Sequence, residues 1–164
     1  MPEMGPIAPW IGIAVTLLIS IFNFCRTSKL NRSANFERAF GTELETAVQH
    51  LREVRSECDR VLRTASSVDN GRDIIQSSVD THIRAAQNTL TQDVSRLGES
   101  PVPKYKTEWK NLARSESWDA MWTAVSSART ATNMADFVAA TKEIRAIAVS
   151  LHDQILSLRD RENS

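Results

Sequence analysis

An all-α fold is predicted by the way this sequence spaces its apolar residues. They recur at three- and four-residue steps along most of the chain, and no stretch alternates as a half-buried strand would. Proline and glycine gather at Pro2–Gly12, Asp69–Gly71 and Gly98–Pro103, where helices would end. Between those clusters the chain is rich in Ala, Leu, Glu, Arg and Gln, all good helix formers. The predicted architecture is an N-terminal single transmembrane helix followed by an antiparallel four-helix bundle with a coiled-coil-like seam.

The transmembrane expectation rests on residues 7–24, which carry no charged side chain. At helical rise they reach about 27 Å, close to the roughly 30 Å hydrocarbon core of a bilayer. Ile7, Trp10, Leu17, Leu18, Phe22 and Phe24 are the anchoring residues, with Trp10 near one interface. Pro6 and Pro9 fall in the first turn, where a missing N–H costs little. Arg26, Lys29 and Arg32 come directly after the span, whereas Glu3 is the sole charged side chain before it. The positive-inside rule then puts the body in the cytoplasm and the N-terminus outside. A cleaved leader is disfavoured, because Met1–Gly5 lacks a basic residue and Phe22-Asn23-Phe24 lacks a small-residue cleavage site. The expected organisation is an extracytoplasmic N-terminus (1–6), a spanning helix (7–25), a basic juxtamembrane linker (26–34), a cytoplasmic bundle (35–160) and a polar tail (161–164).

The first body helix, from Asn35 to about Ser67, is the clearest. Phe40, Leu44, Ala47, Leu51, Val54, Cys58, Val61, Ala65 and Val68 form a 4-3 seam over about four heptads. Val48 and Leu62 widen it, which suits a bundle. Val68-Asp69-Asn70-Gly71 is expected to break that helix in an Asn-Gly turn. The second helix buries Ile75, Val79, Ile83, Ala86, Leu90, Val94 and Leu97, and ends at Gly98. Pro101 and Pro103 then hold the chain out of regular helix as far as Lys104. From Tyr105 to Thr130 the pattern fits either one bent helix or two short ones, with Ser115 or Ser117 as a cap. Asn133, with Asp136 three residues on, marks the start of the last helix, whose apolar face runs Phe137, Ala140, Ile144, Ile147, Leu151, Ile155 and Leu158.

Geometry makes one segment a candidate lipid contact. The first body helix travels roughly 50 Å from the bilayer and the second returns roughly 38 Å. Lys104, Tyr105, Lys106, Trp109 and Lys110 would then face anionic headgroups, the simpler reading being a solvated loop whose aromatics cap the end of the bundle. Trp118, Met121 and Trp122 share a helical face and are read as core residues, with a partner contact as the functional alternative.

Function classes narrow by chemistry. The sequence holds 20 basic and 20 acidic side chains, so no electrostatic footprint for nucleic acid is expected. Neither Cys25 nor Cys58 has a CxxC or metal-ligand neighbour, which fits a reducing compartment. Cys25, at the expected membrane boundary, is a candidate for S-acylation, though a small apolar residue ending a span is the simpler reading. His50, His82 and His152 lie in no Glu-x-x-His motif, and His82 reads as a core-edge residue, so no metal is expected. There is no GxSxG elbow and no glycine-rich phosphate loop. No catalytic residues, cofactor or small-molecule substrate are expected. Two functions remain: a single-pass membrane-anchored adaptor, scaffold or assembly subunit that binds other proteins or itself through the exposed part of the Phe40–Val68 seam, or a membrane-active effector whose span oligomerises through Gly12, Thr16 and Ser20 and perturbs the bilayer.

Overall fold

Helix α1 runs without interruption from Ile7 to Thr64. The computed structural model describes residues 7–96 and 103–164, with the side chains of 7–16, 32, 93, 94 and 96 outside the described set. The rest comprises α2 (Val68–Ile74), a π-helical turn (Ile75–Val79), α3 (Asp80–Arg96), α4 (Lys106–Ala113), α5 (Glu116–Thr130) and α6 (Met134–Asn163). No strand occurs among the described residues. The region expected to be a juxtamembrane linker, 26–34, is plain helix. It holds no glycine or proline, so nothing local stops the helix between the apolar rod and the bundle.

The body is an up-down-up-down helical bundle. Helix α1 packs on α3 and α6, and α6 packs on α5. Cross-links show the directions: Arg159 meets Glu37 and Arg145 meets Asp59, so α6 runs antiparallel to α1. Trp122 meets Gln87 and Arg129 meets Asp80, so α5 runs antiparallel to α3. The 4-3 seam is the core of this bundle, with Phe40, Leu44, Ala47, Leu51, Val54, Cys58 and Val61 all buried. It is therefore taken up by α3 and α6, and of the seam expected to self-associate only Ala65 and Val68 are left half-buried. Val94 and Leu97, expected on the second helix face, lie outside the described side chains.

The Asn-Gly turn expected at 68–71 is instead the first turn of α2. The break comes earlier, at Ala65–Ser67, where the Ser67 hydroxyl accepts the Asn70 N–H at 3.3 Å and caps α2. Gly71 is needed for packing rather than for a turn: it is buried, and a Cβ there would overlap the Phe137 ring. The π-helical turn has a cause in the spacing. Gly71, Ile75, Val79 and Ile83 succeed one another at four-residue steps. In an α-helix each such step drifts about 40° around the axis. A wider turn absorbs the excess and keeps Ile75, Val79 and Ile83 all buried.

Tyr105 to Thr130 is two helices. The Ser115 hydroxyl accepts the Ser117 N–H at 3.2 Å and restarts the chain as α5. Asn133 caps α6 as expected, accepting the Asp136 N–H at 2.9 Å. Residues 161–164, expected as a polar tail, continue α6 to Asn163 because their side chains are engaged.

Among the described residues no helix is long and apolar enough to cross a membrane. The span expected over 7–25 is not supported by them. The side chains of Ile7 and Trp10 lie outside the described set, as does every side chain through residue 16, so only the 17–25 part of that span has its side chains described.

Candidate functional site

Two features meet at one end of the bundle: the emerging rod of α1 and a buried carboxylate that ties the ends of several helices together. Along the rod Leu17, Leu18, Ile19, Ile21, Phe22, Phe24 and Leu30 are all exposed, from 55% for Ile19 to 75% for Phe24. These positions cover about two thirds of the helix circumference, and the remaining strip carries Ser20, Asn23 and Thr27. Arg26 and Lys29 are exposed just beyond it, and the Arg32 side chain lies outside the described set.

The carboxylate is Glu162, near the end of α6 and buried. Helix α4 begins at Tyr105 without a side-chain cap of its own. Glu162 supplies the cap from across the bundle, accepting the backbone N–H of Lys104 at 2.9 Å and of Tyr105 at 2.6 Å. It also accepts the Trp109 indole N–H at 3.3 Å. A negative group at a helix N-terminus satisfies orphan donors and opposes the helix dipole favourably. Trp109 then stacks on Phe36 of α1, with ring centroids 6.1 Å apart. Ser33 donates to Asn163 at 2.8 Å, and Asn163 donates to Glu37 at 2.7 Å. Arg159 holds Glu37 in a two-pronged pair at 2.9 and 3.0 Å and reaches Glu45 at 3.1 Å. The Arg159 hydrogen bond holds the Glu37 carboxyl below its ordinary value, against the opposing effect of burial.

The segment expected to meet headgroups does lie at this end. Lys104 shares a cleft of about 370 Å³ with Phe24, Cys25, Ser28 and Lys29 of the rod. Lys104 and Lys110 are exposed and Lys106 is half-buried. Tyr105 sits under two cations, Lys104 at 5.0 Å and Arg161 at 4.2 Å from its ring centroid. The hydrogen bond from Lys104 leads in holding its hydroxyl below the ordinary value, with burial opposing and Arg161 assisting. Trp109 departs from the expectation. It is buried against Phe36 and Glu162, so it cannot touch a headgroup.

In the cluster of Trp118, Met121 and Trp122 the core reading fits the first two, and the partner alternative finds no free surface there. Trp118 and Met121 are buried, and the Trp118 indole donates to the Leu112 carbonyl at 3.1 Å. Trp122 is half-buried, donates to Gln87 at 3.0 Å and lies under Arg84 at 4.8 Å. Between α4 and the outer face of α6 there is instead an open groove of about 830 Å³. Val149, Ser150, Gln154 and Ser157 form its α6 wall.

Periodicity missed the histidines. His82, read as a core-edge residue, and His50, which the sequence places in no ligand motif, face each other across α1 and α3 with Nδ1 atoms 3.1 Å apart. Burial first, and His82 second, push the His50 imidazole below its ordinary value, while Glu53 acts the other way. Cys58 is buried in the core and its thiol is pushed up to about 12, chiefly by burial. Cys25 is exposed on the rod. Among the described residues no group of three or more His, Cys, Asp or Glu side chains is placed to hold a metal ion.

The fold and its rod-bearing end define an antiparallel helical bundle fused to an uncovered apolar helix. Comparison of the chain with protein families, curated proteins and solved structures gives no match in any of the three.

Proposed function

We propose that this chain is a single-pass membrane-anchored interaction protein, an adaptor, scaffold or assembly subunit, whose bundle sits on the cytoplasmic side and carries out no catalytic step. The observation behind this reading is the exposure of Leu17, Leu18, Ile19, Ile21, Phe22 and Phe24 on one unbroken helix with the bundle. A helix whose apolar residues cover most of its circumference, with no charged side chain among them, belongs in a core or in lipid. Covering one such side chain is worth about 1.5–3 kcal/mol, so leaving these in water forgoes on the order of 10 kcal/mol. In this reading residues 7–16, uncharged in sequence, complete the span with 17–25. Arg26 and Lys29 set its orientation, and Lys104, close to Lys29, adds headgroup attraction of about 1 kcal/mol. The groove between α4 and α6 is the surface offered to a protein partner.

Carbonate extraction of cells expressing the full chain tests the anchor. The protein stays in the membrane pellet and a C-terminal reporter is cytoplasmic. Recovery in the supernatant, or an extracytoplasmic reporter, overturns the proposal.

A second reading is favoured by Ser20 and Asn23, polar side chains exposed on the rod among apolar ones. Inside a bilayer such groups seek hydrogen bonds on other helices. The rod would then self-associate, and the protein would act as a membrane-active effector. Loss of membrane potential on expression supports this second reading, and an unchanged potential supports the first.

A further inference from the structure

We propose that His50 and His82 form a two-nitrogen chelating site for a divalent ion of the zinc, nickel or copper class, clipping α1 to α3. The Nδ1 atoms stand 3.1 Å apart, with ring centroids at 5.3 Å and planes tilted by 38°. Two metal–nitrogen bonds of about 2.0–2.1 Å at tetrahedral to octahedral angles hold their nitrogens about 2.9–3.4 Å apart. The two Nδ1 atoms therefore already stand at chelating separation, and a small turn of each ring from its head-on pose aims both lone pairs at one ion. Without an ion, one Nδ1 must donate to the other. With an ion, both present lone pairs and each ring keeps its proton on Nε2.

The scaffold suits such a site. The histidines come from two different helices, and each is flanked by buried residues: Ala47, Leu51 and Val54 on α1, and Val79, Ile83 and Ala86 on α3 and the turn before it. Packing of those neighbours fixes the helix separation, so little order is lost on binding. Both imidazoles are half-buried, which leaves the outer coordination positions to water. Glu53, one turn after His50 and hydrogen-bonded by Gln49 at 2.7 Å, adds negative charge nearby without serving as a third ligand. Imidazole donors select zinc, copper and nickel over magnesium and calcium.

The test is thermal unfolding of the full chain in detergent micelles with zinc chloride or nickel chloride, with magnesium chloride as control. Zinc or nickel raises the midpoint by several degrees, magnesium does not, and EDTA reverses the rise. The rise is lost in His50→Gln and in His82→Gln but kept in His152→Gln. An equal rise in His82→Gln, or none at millimolar zinc, overturns the proposal. Copper(II) paramagnetic resonance on the full chain gives a readout independent of stability. A spectrum with two equatorial imidazole nitrogens supports the clip, and one with a single nitrogen overturns it.

Discussion

The two halves of α1 share one helix and differ in how their apolar residues are distributed. From Leu17 to Leu30 the large apolar side chains cover about two thirds of the circumference and are exposed. From Phe36 to Val61 they keep to one stripe and are buried, while Glu45, Arg52 and Arg55 face water. The backbone is the same in both halves, so helix propensity does not separate them. The stripe can be covered by neighbouring helices of the same chain, whereas an apolar surface this wide needs a surrounding medium or further helices. Burial is thus decided by the arrangement of apolar residues more than by their number.

The sharpest way to break this contrast is one substitution in each half. Leu51→Ala leaves a hole where α1 meets the core, and is expected to lower stability by about 2–5 kcal/mol in chemical denaturation while leaving membrane recovery unchanged. Leu18→Lys should do the reverse. A lysine near the middle of a span costs about 2.5–3.5 kcal/mol of insertion, so the chain should shift toward the soluble fraction with its bundle unfolding midpoint unaltered. If Leu18→Lys destabilised the bundle as much as Leu51→Ala, the two halves would not be independent.

Glu162→Ala tests the joint between them. It strips the Lys104, Tyr105 and Trp109 donors of their acceptor, and is expected to cost about 1–3 kcal/mol and to speed hydrogen exchange at the start of α4. The smallest effect belongs to Glu37. Its folded-state carboxyl is held below the unfolded value, so its contribution is full above the unfolded value and is lost as pH falls through the folded one. The pair with Arg159 lies near the surface, so that contribution is no more than about 1 kcal/mol. Glu37→Gln should therefore flatten the acid limb of the stability curve and nothing else.

The signals legible in the sequence were local ones. The seam from Phe40 to Val61, the Asn133 cap and the break near Ser115 each depend on residues within a turn or two of one another. The π-helical turn was not among them: the four-residue steps of Ile75, Val79 and Ile83 read as an ordinary helix face. The Asn-Gly pair misled because its turn preference was overridden by packing against Phe137, far away in the chain. Trp109 misled in the same way. Its neighbours are lysines, but its contacts are Phe36 and Glu162.

The sequence by itself determined which faces are apolar, that a helix starts after Asn133, and that residues 17–24 carry no charge to keep them in water, because these depend on side-chain type and the period of the helix. Only the tertiary structure decided that Glu162 caps α4, that His50 meets His82 and that the Trp118 face is core. Those pairings depend on which helix lies beside which, and at what height, and that is set by side-chain packing between segments distant along the chain.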